Sequence, residues 1–197
     1  MRNFFELSLE IEKCMKEIST VFGDFQKKSG LVCPTGCGKC CFKADISCSP
    51  YELLPLALQL LKENRAEEFL EKANRTYDNH CMFLNVTDKE MGHGYCSEYQ
   101  FRPFVCRAFG ISARHGKNDH VEYSMCKVFK DNFSESSVNH NEIPFIEIWR
   151  KKFEVLNPHL QEREIPINQA LAIVLEKVLI WNSYQIASSP DDTYFSI

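Results

Sequence analysis

The chain has 197 residues, 44% hydrophobic and 25% charged, which is ordinary globular composition and favours one domain over residues 1–197. Its net charge is −4 with no strong block of either sign, which argues against a nucleic-acid-binding surface. Ten cysteines are the anomaly in this otherwise ordinary inventory.

The first residues, Met1 to Leu7, lack the long apolar run of an export signal, and Glu6, Glu10 and Glu12 interrupt the stretch. An amphipathic helix is predicted there, with Ile11, Met15, Ile18, Phe22 and Phe25 on its apolar stripe. Cys14 lies beside that stripe and reads as a core thiol. Ser29-Gly30 ends the helix, and a loop with two glycines and a proline runs from Cys33 to Cys41. Ser49-Pro50-Tyr51-Glu52 is a helix start, with Ser as N-cap, Pro at the first helical position and Glu at the third. That helix is expected to reach Glu63 with a bend at Pro55. A second capping box, Asn64 to Glu67, is expected to open a helix to about Tyr77.

From His80 to Phe129 the pattern changes to glycines and short apolar runs. Gly92-His93-Gly94 and His115 to Asn118 read as turns flanked by short strands, and a helical turn is expected from Pro103 through Cys106. Two helices are expected over about residues 142–187. The first is marked by Phe145, Ile146, Ile148, Trp149, Phe153 and Leu156. The second runs from Ile167 to about Ile186, with Ala170, Ile173, Val174, Val178 and Trp181 on one face. Its stretch from Ala170 to Trp181 is broken by Glu176 and Lys177 and is too short to span a bilayer. The tail from Ser188 is polar. The fold class expected is mainly α, with helices bracketing an irregular cysteine-rich core over about residues 30–130 that carries short β hairpins.

Without an export signal the expected compartment is the cytoplasm, where structural disulfides do not persist. Dense cysteine there points to metal or redox chemistry, and a chain of this length folds without staples. The first group, Cys33, Cys37, Cys40 and Cys41, is a C-x3-C-x2-C-C arrangement. Cysteines at this spacing on a glycine-bearing loop can converge on one centre without closing a long loop. Cys40 and Cys41 complicate this, because adjacent side chains on extended backbone point opposite ways and share a centre only across a tight turn. The second group, Cys81, Cys96, Cys106 and Cys126, has no chelate spacing but occupies the other loop-rich segment. Thiolate selects zinc, copper(I) or iron–sulfur species. Four thiolates around a divalent zinc or a 2+ cluster leave a net 2− centre that needs compensation. Arg102 and Arg107, flanking Cys106, are candidates for it, as is Lys39. Cys48, His80 and His93 are ranked below the eight cysteines as ligands.

These residues resemble the YkgJ-type cysteine-cluster family, the CxxCxxCC zinc- or iron-chelating domain. The match runs through Cys33-x3-Cys37-x2-Cys40-Cys41, Ile46-Ser47-x4-Glu52, Cys81-Met82-Phe83-Leu84, Cys96-Ser97-Glu98-Tyr99-x2-Arg102-Pro103-x2-Cys106-Arg107, and Cys126. The resemblance covers residues 30–130 and implies metal binding through cysteine. An iron–sulfur cluster is preferred over zinc, on the excess of sulfur and because an iron–sulfur cluster is expected in a related domain of flagellin lysine methylases. The function expected is an intracellular binding or support module, with a protein partner left open. The alternative is an iron–sulfur enzyme, an oxidoreductase or one acting with S-adenosylmethionine. Cys33-x3-Cys37-x2-Cys40 has the radical S-adenosylmethionine spacing, but the helical pattern lacks the βα alternation of those enzymes. No phosphate-binding glycine loop, nucleophile elbow or His-Glu-x-x-His is present.

Overall fold

The computed structural model describes residues 3–31, 33–43, 46–75, 80–117, 120–131, 133, 139, 142–156 and 163–188. It is mainly helical, with short antiparallel strand pairs around the cysteine-rich segments. Helix α1 (Phe4–Ser29) is opened by Asn3, whose side chain accepts from the Phe5 N–H, and closed by Gly30 at φ 70°. Its buried stripe holds the predicted Ile11, Met15, Ile18, Phe22 and Phe25, and adds Leu7 and the neighbouring Cys14.

After the first cysteine loop comes strand β1 (Ser47–Cys48) and then a 3₁₀ turn over Pro50–Leu53, which leads into helix α2 (Leu54–Lys62). The expected single helix bent at Pro55 is thus two pieces. Pro55 has no N–H to bond the carbonyl four residues back, so the preceding turn keeps 3₁₀ bonding and Pro55 sits in the first turn of α2, where the lost donor costs little.

Asn64 does not start the next helix. It takes φ 57° and closes α2, with the Asn64 N–H donating to the Leu61 carbonyl and the Arg65 N–H to the Leu60 carbonyl. Those two bonds form a Schellman cap, and Asn is the residue other than Gly that tolerates the left-handed position. Helix α3 therefore begins at Ala66 and runs to Arg75. The predicted end at Tyr77 lies outside the described residues.

Strands β2 (Leu84–Asp88) and β3 (His93–Cys96) form one hairpin, so His93 and Gly94 belong to a strand and the turn ends at Gly92. Helix α4 (Phe104–Ala108) is the short turn expected after Pro103. Strands β4 (Ile111–His115) and β5 (Val121–Met125) form the second hairpin, followed by α5 (Lys127–Lys130). Asn118, within the predicted connecting turn, lies outside the described residues. Helices α6 (Ile146–Glu154) and α7 (Ile167–Ser188) complete the chain, with β6 (Ile165–Pro166) paired to β1.

Helix α7 packs on α2, α3 and the 3₁₀ turn, and α1 packs on α2 and α4. Ile11, Ile18 and Phe22 of α1, Leu54, Leu56 and Leu60 of α2, and Leu171, Val174, Leu175 and Val178 of α7 form the main core. Burying each such side chain stabilises the fold by roughly 1.5–3 kcal/mol. Ile173, assigned from the sequence to the buried face of α7, is partly exposed, while Leu171 and Leu175 take the interior. A second cluster of Phe25, Leu31, Ile111, Ala113, Phe129 and Ile143 sits at the β4–β5 hairpin. Among the described residues no helix is long and apolar enough to cross a membrane.

Candidate metal centre

The first cysteine loop is a series of tight turns. The Cys37 N–H donates to the Pro34 carbonyl at 3.1 Å, and the Cys41 N–H donates to the Gly38 carbonyl at 2.8 Å. This second turn places the adjacent Cys40 and Cys41 sulfurs 3.9 Å apart, so the two neighbours share one side of the loop. The loop docks on the β2–β3 hairpin by a bridge between Cys37 and His93 and by the Gly94 N–H donating to the Gly36 carbonyl at 3.0 Å. Glycine is needed at this contact. A Cβ on Gly38 would lie 3.0 Å from the Gly94 nitrogen, and one on Gly94 would lie 2.7 Å from the Asn85 carbonyl oxygen.

The other four cysteines reach the loop from separate elements. The Cys81 N–H donates to the Cys41 carbonyl at 3.1 Å, which ties the second group to the first by backbone. Asn168 of α7 holds the segment on both sides of Cys81, accepting from the Met82 N–H at 3.0 Å and donating to the His80 carbonyl at 3.1 Å. Cys96 ends β3 opposite Leu84, Cys106 sits within α4, and Cys126 precedes α5 with its N–H on the Gly110 carbonyl at 2.9 Å.

All eight open onto one cavity. A cavity of about 1260 Å³ is lined by Cys33, Cys37, Cys40 and Cys41 from the loop, and by Cys81, Cys96, Cys106 and Cys126 from the second half. The two cysteines outside it are buried in the core: Cys14 on α1, and Cys48, which is fully buried on β1. His80 and His93 do not line it. As the side chains stand, no three Cys, His, Asp or Glu groups among the described residues are spaced to hold one ion.

The electrostatics divide the sulfurs. Cys41 feels Cys40, Cys81 and Cys106, and Cys106 feels Cys81, Cys40 and Cys96. Cys33 feels Cys37, Cys40 and Cys126. Cys40 is common to both sets. Its thiol is lowered to about 6 by the hydrogen bond from Cys41, with help from backbone N–H groups and the Arg102 charge, and Cys41 correspondingly keeps its proton. Burial raises Cys33 and Cys81 to about 11, and neighbouring sulfurs push the same way. Burial also raises Cys96 and Cys106. A cavity in which neighbouring sulfurs oppose the thiolates of Cys33, Cys41, Cys81, Cys96 and Cys106 is stabilised by a cation that removes the protons and holds the sulfurs together.

The two arginines differ. Arg102 lies over the Tyr99 ring at 3.6 Å and donates to the Tyr99 and Cys106 carbonyls, and its charge favours the thiolates of Cys40, Cys96 and Cys106. Arg107 braces the wall. Its Nε donates to the Arg102 carbonyl at 2.6 Å, and Nη1 donates to Ser19 Oγ at 2.6 Å. Burial lowers it to about 10, Arg102 presses the same way, and the Cys106 sulfur opposes them. A partly buried guanidinium bonded to neutral acceptors is stabilised by negative charge nearby.

Glu52, read from the sequence as a cap, also builds the site. It is fully buried. One oxygen accepts from the Ser49 N–H at 2.9 Å and the other from the Phe104 N–H at 2.7 Å, so one carboxylate joins the 3₁₀ turn to the start of α4 and its Cys106. No periodicity marks that second bond, because it crosses 52 residues.

Residues 32–137, more than half of the chain, match the model of the family described as CxxCxxCC, "Putative zinc- or iron-chelating domain", and the chain belongs to that family. Among curated proteins and among solved structures, none matches.

Proposed function

We propose that the cavity holds an iron–sulfur cluster, with zinc as the alternative metal, and that the protein serves as a metal-binding or support module in the cytoplasm. The observation that carries this is the lining itself: eight of ten cysteines, from the first loop and four further segments, line one cavity in a chain of the chelating family. Cys41, Cys81, Cys96 and Cys106, with Cys40, are the proposed main ligand set, and Cys33, Cys37 and Cys126 the remainder. Bringing them onto a common centre takes side-chain rotation, for which the half-exposed loop leaves room. Arg102 and Arg107 are the proposed charge compensation for a centre of net negative charge. Iron–sulfur is preferred on the excess of sulfur over one four-coordinate centre, while eight sulfurs also suit two tetrahedral zinc ions.

Purification without oxygen, followed by metal and sulfide analysis and a visible spectrum, tests this. A brown protein with iron and inorganic sulfide is expected. A colourless protein with stoichiometric zinc leaves the thiolate site but removes the cluster, and a protein free of both overturns the reading.

A further inference from the structure

The proposed centre uses two of the cations in the cavity wall, and the wall holds five more. Lys39, Lys43, Lys127 and Lys130 are exposed on it and have no acidic partner among the described residues, and Lys16 contributes a fifth, weakly paired with Glu12 at 3.8 Å. Glu98 is the sole described carboxylate on the wall, although Asp and Glu outnumber Lys and Arg by 27 to 23 over the chain. Even after a 2− centre is neutralised by Arg102 and Arg107, the mouth keeps a surplus of positive charge. A concave surface of one sign focuses its field on ligands of the other.

Room and shape agree with the charge. The cavity exceeds the ~300–1,000 Å³ usual for small-molecule sites. Its α1 wall presents Ser19, Thr20, Gly23 and Gln26. Gly23 stands in the interior of a 26-residue helix, where glycine costs about 1 kcal/mol relative to alanine. Packing does not demand it, since a Cβ there would meet nothing within 4 Å. What the glycine secures is open space in the wall.

We propose that the cavity takes, beside the metal centre, a small polyanion bearing phosphate or carboxylate groups, held by the lysine rim and seated against the Gly23 face of α1. This rests on the metal reading for its neighbour but not for its own charge or shape. Calorimetric titration of the anaerobically purified full chain, with pyrophosphate and citrate as probes, tests it, and metal and sulfide are assayed on the same samples. Saturable binding of pyrophosphate alone identifies a phosphate ligand, and of citrate alone a carboxylate ligand. Lys127→Gln with Lys130→Gln is expected to weaken binding about tenfold or more with metal content unchanged. Gly23→Leu is expected to block it sterically, again with metal retained. Absence of saturable binding by either probe overturns the proposal, as does affinity that both variants leave intact. Loss of metal with binding preserved counts against the centre and not against the anion site.

Discussion

Replacing Glu52 by Gln removes a fully buried carboxyl that bridges two elements of the site. The Glu52 carboxyl is raised from 4.5 to about 7, chiefly by burial, against the pull of the Ser49 and Phe104 N–H groups. Below pH 4.5 the group is neutral whether the chain is folded or not. Between 4.5 and about 7 the unfolded chain gives up the proton while the folded one keeps it, so stability falls as pH rises and levels off above 7. The span corresponds to about 3 kcal/mol. Gln cannot ionise, so this slope vanishes in the variant. Gln also offers one acceptor where Glu offers two, which leaves a buried N–H short at a cost of about 1–3 kcal/mol. Glu52→Gln is therefore expected to trail wild type by up to about 2 kcal/mol at pH 5 and to equal or exceed it at pH 8, the difference shifting by about 2.5 kcal/mol between the two. Urea unfolding of both proteins at the two values, compared as differences, is the assay. Equal differences at pH 5 and pH 8 would refute the claim that burial holds this carboxyl high.

Cys37→Ser and Cys106→Ser are each expected to lower metal content on anaerobic purification, although 69 residues separate them. Full occupancy in Cys106→Ser means that the two groups do not share a centre. Cys48→Ala, in the core and off the cavity wall, is expected to keep the metal and lose about 1–2 kcal/mol in denaturant. Gly94→Ala forces a Cβ to 2.7 Å from the Asn85 carbonyl oxygen, and about 1–3 kcal/mol of lost stability is expected together with weakened metal retention. Chelation is expected to lower the circular dichroism melt, since the loop turns gain an anchor from the metal, and an unchanged melt argues against that coupling.

How far the sequence carries the structure depends on the range of the interaction. Helices α1 and α7 are legible from periodicity because their apolar residues recur within one element. The eight cavity cysteines are legible from residue type and from their grouping in the two loop-rich segments. Asn64 is ambiguous because a cap residue looks the same from either side, and the preceding helix claims it through the Leu60 and Leu61 carbonyls. The sharing of one side by Cys40 and Cys41 depends on a turn closed at Gly38, which the sequence permits without requiring. Glu52 on Phe104, Asn168 around Cys81 and Gly38 against Gly94 are contacts between distant segments, and no local pattern encodes them.

X-ray absorption at the metal edge, on protein purified and frozen without oxygen, addresses the ligands without passing through stability. A first shell composed of sulfur at about 2.3 Å is the expected result, with a further iron shell where a cluster is present. A first shell dominated by nitrogen or oxygen would contradict the assignment of these cysteines as the ligands.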